Sequence, residues 1–82
     1  MDKVMVEVYV PILENKYNVF IPVNKNIQAV IQLLNKAIYE MTNGVYSMKS
    51  SLLCDKETGN IFDLNKNVKD AGIKNGTKLI LI

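Results

Sequence analysis

Cys54 is followed by Asp55 and Glu57, and Asp63 lies a little further on. A thiol beside carboxylates raises two chemistries, nucleophilic attack and cation binding. The first needs a base near neutral pH, and a histidine beside the cysteine is the usual one. The chain has no histidine, which excludes that pair and removes the commonest metal ligand. A lone cysteine cannot close an internal disulfide or hold a four-cysteine iron–sulfur cluster. Cys54 therefore reads as a small buried apolar side chain, the usual habit of a free cysteine. The three acids lack the sustained ligand spacing of a calcium loop. They read as the polar turn Asp55-Lys56-Glu57-Thr58-Gly59-Asn60 and the solvated stretch after it. Gly72 and Gly76 do not make a phosphate cradle, because no Lys-Ser/Thr pair opens a helix behind them. The expectation is a non-enzyme without catalytic residues, cofactor or metal.

The charge pattern points away from nucleic acid. A formal charge of +2 is carried by ten lysines and no arginine. Those lysines are scattered from Lys3 to Lys78, and several have acidic neighbours, as Lys56 does between Asp55 and Glu57. Readers of phosphate and bases need clustered cations and arginine forks. Solvated surface lysines are the expectation, with no nucleic-acid partner.

Length allows a single domain over residues 1–82, and 49% hydrophobic against 22% charged residues supplies a core. No apolar run approaches the roughly 20 residues of a membrane span. The N-terminus alternates almost at once and lacks the apolar stretch of a signal peptide. No membrane insertion is expected, and the single cysteine fits a reducing cytoplasm.

The elements follow from periodicity. Val4, Val6, Val8 and Val10 recur at every second position, a β-branched strand that Pro11 ends. Leu13 to Lys16 makes a hairpin connection. Tyr17, Val19 and Ile21 then alternate in a second strand, with Pro22 marking an edge or an exit. Asn26 is an N-cap, and Ile27, Val30, Ile31, Leu34, Ala37, Ile38 and Met41 form one face of a helix of about 16 residues. Asn43-Gly44 stops it. Tyr46, Met48, Leu52 and Cys54 share a parity, which points Leu52 and Cys54 inward. Ile61-Phe62 reads as a very short strand, Leu64 and Val68 as anchors, and Thr77 to Ile82 as the last strand. One helix packs across one face of a sheet, giving two layers. A hairpin, a crossing helix and a late strand returning beside the first make an α+β β-grasp, a mixed sheet of four to five strands with its first and last strands parallel at the centre.

Asp70-x-Gly72-Ile73-x-Asn75-Gly76-x-x-Leu79, followed by a few apolar residues, resembles the terminal pattern of ubiquitin-like proteins. The hairpin and the helix from Ile27 to Met41 agree in order and length. The chain is similar to the YukD/EsaB branch, accessory proteins of type VII (WXG100) secretion in bacteria. Members of that branch tend to carry a tryptophan, and this chain has none. The resemblance implies a cytoplasmic, non-enzymatic protein that acts by binding protein partners, a secretion ATPase or membrane components among them. A general ubiquitin-like scaffold in another pathway is the alternative. A covalent modifier or sulfur carrier of this fold needs a flexible Gly-Gly tail, whereas Leu79-Ile80-Leu81-Ile82 reads as a buried strand.

The face of the sheet away from the helix is where binding is expected. Alternation sends Met5, Tyr9 and Ile80 outward, and by the same rule Phe20 and Leu53. Tyr9, Phe20, Leu53 and Ile80 are the candidate protein-binding residues. Two arrangements are open: a contiguous apolar patch of the kind that marks interfaces, or dispersed residues screened by loops and by lysine stems such as Lys78. A slip of one residue in register would exchange the two faces. A homodimer through this face is compatible with a binding role.

Overall fold

The computed structural model describes residues 2–47 and 49–82. Strand β1 runs over Lys3–Val10, and its even-numbered valines from Val6 onward are buried. Pro11 ends it in a 3-10 turn over Pro11–Leu13, where Glu14 takes a left-handed φ of 50° and its N–H donates to Pro11 O at 3.0 Å. Strand β2, Asn15–Pro22, then pairs antiparallel with the whole of β1, Lys3 opposite Pro22 and Val10 opposite Asn15. Val23 N–H donates to Asp2 O at 2.9 Å, which fixes the phase of the ladder. Pro22 accordingly turns its ring nitrogen to the free edge, where no donor is required.

Helix α1 spans Ile27–Met41. The Asn26 side chain accepts from Ala29 N–H at 2.8 Å, as a cap should. The N–H groups of Ile27 and Gln28 donate to Lys66 O and Leu64 O at 2.8 and 3.1 Å. A later segment of chain thus satisfies amides that the helix cannot satisfy itself. Ile27, Val30, Ile31, Leu34 and Ile38 bury against the sheet, while Met41, at the end of the same stripe, is exposed. At the stop, Gly44 N–H donates to Tyr39 O at 2.9 Å and Asn43 N–H to Glu40 O at 3.3 Å. Asn43 itself holds the left-handed cap position at φ 53°. Gly44 follows at φ 85°, where a Cβ would also stand 3.3 Å from the Tyr39 hydroxyl.

Residues 45–52 form no strand in their described part, and Met48 lies outside the described residues. What holds this segment is a polar cluster. The buried Tyr46 hydroxyl bonds to Asn35 Oδ1 and to Ser50 Oγ, while Asn35 Nδ2 donates to Ser50 O at 2.8 Å. Asn35 is the buried polar residue of α1, a side chain that periodicity alone assigns to the solvent face.

Strand β3, Leu53–Asp55, and strand β4, Lys78–Leu81, complete a sheet of order β2-β1-β4-β3. Strand β4 lies parallel to β1, with Glu7 opposite Lys78 and Tyr9 opposite Ile80. It lies antiparallel to β3, with Leu53 opposite Leu81 and Cys54 opposite Ile80. The short strand expected at Ile61-Phe62 is a single bridge, Ile61 to Cys54. Val68 and Ile73 are buried, and Val68 N–H and Lys69 N–H reach back to Lys25 O and Val23 O at 3.0 and 3.1 Å. Leu64 is exposed rather than anchoring.

The inward and outward assignments of Leu52, Leu53 and Cys54 are reversed, with Cys54 opposite Ile80 on the open side of the sheet although it is buried there. Leu53 has an exposure of 0% and belongs to the core, not to the open face, while Leu52 is exposed. The reason is register: Leu53 is opposite Leu81, which faces α1, so both point inward. Replacing Leu53 by alanine should therefore cost about 2–5 kcal/mol in urea unfolding, against about 0.5 kcal/mol or less for Phe20→Ala. Tyr46→Phe, which strips the hydroxyl from the Asn35 cluster, should cost about 1–3 kcal/mol in the same measurement.

Candidate functional site

The register orders the open face into rows that run across the strands. The first joins Phe20 of β2 to Met5 of β1, exposed at 62% and 41%. On the β4 side this row ends at Gly76, whose N–H donates to Met5 O at 2.8 Å. Gly76 has φ 85° and open space where a Cβ would be, so the edge beside Met5 is bare. Asn75 Oδ1 accepts from Met5 N–H at 2.9 Å and ties the same turn to β1.

The second row is polar. It holds Asn18, Glu7 and Lys78. Lys56 N–H donates to Lys78 O at 3.0 Å, which extends the row to Lys56. Glu7 is drawn toward Lys16, whose Nζ is 3.9 Å away.

The third row holds Lys16, Tyr9, Ile80, Cys54 and Ile61. Tyr9 and Ile80 are half-buried and Ile61 is exposed. Cys54 sits between Ile80 and Ile61 and is itself buried. Lys56 Nζ stands 5.2 Å from the centre of the Tyr9 ring, a cation–π contact that screens part of it. Beyond this row, Leu52 and Ile82 exchange backbone bonds at 3.0 Å each, and both are exposed. Alternation from Cys54 and Ile80 carries them to the open face as well.

Of the four expected residues, Phe20, Tyr9 and Ile80 lie on the open face, and Leu53 does not. The three do not form one patch. Asn18, Glu7, Lys78 and Lys56 separate Phe20 and Met5 from Tyr9 and Ile80. Ile61, Leu52 and Ile82 enlarge the second apolar area and were not among the expected residues. Their signal lies in pairing: each is a neighbour across a strand, and strand neighbours cannot be aligned until the register is known.

The acids near Cys54 serve turns. Asp55 Oδ1 accepts from Glu57 N–H at 2.8 Å and Thr58 N–H at 3.3 Å, and Asp63 Oδ1 from Asn65 N–H at 2.9 Å. Among the described residues no three histidine, cysteine, aspartate or glutamate side chains are grouped to hold a metal ion. Among the same residues no helix is long and apolar enough to cross a membrane. Away from the open face, an apolar concavity of about 290 Å³ lies at the hairpin end between Pro11, Ile12, Tyr46, Leu81 and Ile82.

A family model described as "Protein of Unknown function (DUF2604)" matches residues 2–82. The chain belongs to the DUF2604 family. No curated protein sequence matches it. Its structure is similar to the ubiquitin-like domain of the Mycobacterium tuberculosis type VII secretion system protein ECCD1, with a TM-score of 0.78 at 14% identity over 100% of this chain and 99% of that one. The EccD5 ubiquitin-like domain from Mycobacterium xenopi overlays with a TM-score of 0.78 at 16% identity, covering 100% and 94%. A chain of the MycP5-free ESX-5 inner membrane complex gives 0.79 at 13% identity, and there the DUF2604 chain spans only 21% of its neighbour. These likenesses show the fold: a ubiquitin-like β-grasp with a four-stranded mixed sheet and one helix. This DUF2604 member thus has the architecture expected from its periodicity.

Proposed function

We propose that this chain is a non-enzymatic, protein-binding ubiquitin-like module of a bacterial type VII secretion system. The observation that carries the reading is the end-to-end overlay on the EccD ubiquitin-like domains, together with the same fold in a chain of an ESX-5 inner membrane complex. The resemblance of the Asp70 to Leu79 segment to the YukD/EsaB accessory proteins adds to it. On this reading the protein works in the cytoplasm, and its partners are the secretion ATPase or membrane components of the WXG100 pathway.

Binding is assigned to the open sheet face, with Tyr9, Phe20 and Ile80 as contacts. Support comes from the exposure of Phe20 and Met5 on a β-sheet face, a surface that ordinarily alternates to polar residues. Burying such side chains yields about 25 cal/mol per Å² of apolar surface. Leu53 has no part in the contact, because its side chain is spent on the core.

The test is an affinity pull-down from native lysate, with wild type beside a Phe20→Asp, Ile80→Asp variant whose circular dichroism is native. Wild type should recover a secretion ATPase or membrane subunit, and the variant should lose it. Recovery of unrelated proteins would turn the reading into a general scaffold. Equal recovery by both would move the site to the helix or to the concavity beside Ile12.

A further inference from the structure

We infer that the free edge of β2 pairs antiparallel with the same edge of a second copy of this chain, with Phe20 of one copy opposite Phe20 of the other. The two copies meet through this edge and not through the open face. The joined sheet then runs β3-β4-β1-β2 into β2-β1-β4-β3. The inference is independent of the secretion reading.

The backbone groups at the two edges of the sheet are the first argument. Strand order leaves β3 and β2 outermost. The β3 edge is short and covered. It has three residues, Cys54 is bridged by Ile61, and Asp55 N–H donates to Asn60 O and Phe62 N–H to Leu53 O at 2.8 and 2.9 Å. Strand β2 has eight residues and no such cover. The bond from Val23 N–H to Asp2 O sets its phase. Odd-numbered residues of β2 exchange bonds with β1, and Lys16, Asn18, Phe20 and Pro22 turn their backbone groups to the free edge. The ends of that edge are blunted. Pro22 has no N–H, and Lys16 N–H donates to Asn15 Oδ1 at 2.9 Å. Asn18 and Phe20 keep both an N–H and a C=O, and among the described residues no other part of the chain bonds to them. Unpaired groups of this kind are a template for pairing with another strand.

The side chains select the register and the partner. With Phe20 opposite Phe20, the two Phe20 residues exchange two bonds, and each Asn18 N–H reaches Pro22 O of the other copy. Every free donor is used. Sliding the copies by two or four residues makes as many bonds but sets Phe20 beside Asn18 or Lys16. Phe20 is 62% exposed on the open side of the sheet. In the Phe20 register the first apolar row becomes continuous across the joint, Met5 and Phe20 of one copy beside Phe20 and Met5 of the other. Aromatic pairs across strands are stabilising, and like charges directly opposite are not. Lys16 is the one charge of β2, and here it falls opposite Asn24, beyond the end of the strand. A second copy thus brings the same two free donors in phase and a second phenyl ring on the same face. The arrangement closes on a two-fold axis, as most dimers do. It consumes the open edge, and the covered β3 edges stop assembly at two chains. Tyr9 and Ile80 are left uncovered.

The test is sedimentation equilibrium of the intact protein over a concentration series, with amide hydrogen exchange beside it. Wild type should form a dimer and nothing larger, and the Asn18 and Phe20 amides should exchange more slowly where the dimer is populated. Asn18→Pro deletes an edge donor that β1 does not use, and it should raise the dimer dissociation constant about tenfold or more. Phe20→Lys, which opposes two lysines, should do the same with native circular dichroism, and it carries the test if the proline variant unfolds. Phe20→Cys should close a disulfide between copies under mild oxidation, because bonded residues directly opposite lie about 5.5 Å apart, within disulfide reach. Asn18→Cys should not, because its counterpart is about 13 Å further along the strand. A monomer at every concentration overturns the inference. So does a dimer that survives both Asn18→Pro and Phe20→Lys, a dimer that leaves the Asn18 and Phe20 amides unprotected, or a disulfide at position 18 and none at 20.

Discussion

The parallel pairing of β1 with β4 is the constraint on which the rest of this molecule depends. It joins residues at opposite ends of the chain, with Val8 opposite Leu79 and Tyr9 opposite Ile80. Parallel neighbours cannot be joined by a tight turn, so the whole intervening chain becomes the crossover. The hairpin strand, the helix and the strap around Val68 all lie within it. The pairing is locked by the turn at Asn75 and Gly76, whose side chain and N–H both engage Met5. Shift that pairing by one residue and Leu79 and Leu81 leave the core while Lys78 and Ile80 enter it. The core and the open face are two consequences of one register.

Most of the fold was legible in the sequence because it rests on long periodic signals. Four valines at alternate positions, a helical stripe from Ile27 and an Asn26 cap are unambiguous, and the chain uses each as read. Strand β3 is different. It has three residues, and Leu52, Leu53 and Cys54 are all apolar, so parity carries no information there. Pairing with β4 makes the choice, and it turns Leu53 inward against the expectation. The polar cluster of Asn35, Tyr46 and Ser50 was hidden for another reason. A buried asparagine is stable only when its hydrogen bonds are met, and the residues that meet them come from an irregular segment with no period to read.

The open face was half legible. Its apolar members Met5, Tyr9, Phe20 and Ile80 follow from alternation, and they are where alternation puts them. Their arrangement does not follow from alternation. Only the cross-strand alignment reveals that Asn18, Glu7, Lys78 and Lys56 form a polar row between two apolar areas. A uniform apolar patch would accept many partners, because apolar contact is non-directional. Two apolar areas divided by a polar row that carries both Glu7 and Lys78 impose spacing and charge, and those are the properties from which specificity is built. The lysine stems also limit how much apolar surface meets water in the free protein, as Lys56 does over Tyr9.

The most direct measurement is site-specific photo-crosslinking in the native cell, with a photoreactive side chain at Phe20, at Lys78, at Ile12 or at Lys36 of the helix. Positions 20 and 78 should trap the same protein, a component of a type VII apparatus, and positions 12 and 36 should not. A partner trapped only from Ile12 or Lys36, with positions 20 and 78 silent, would contradict the claim that the open sheet face is where this protein works.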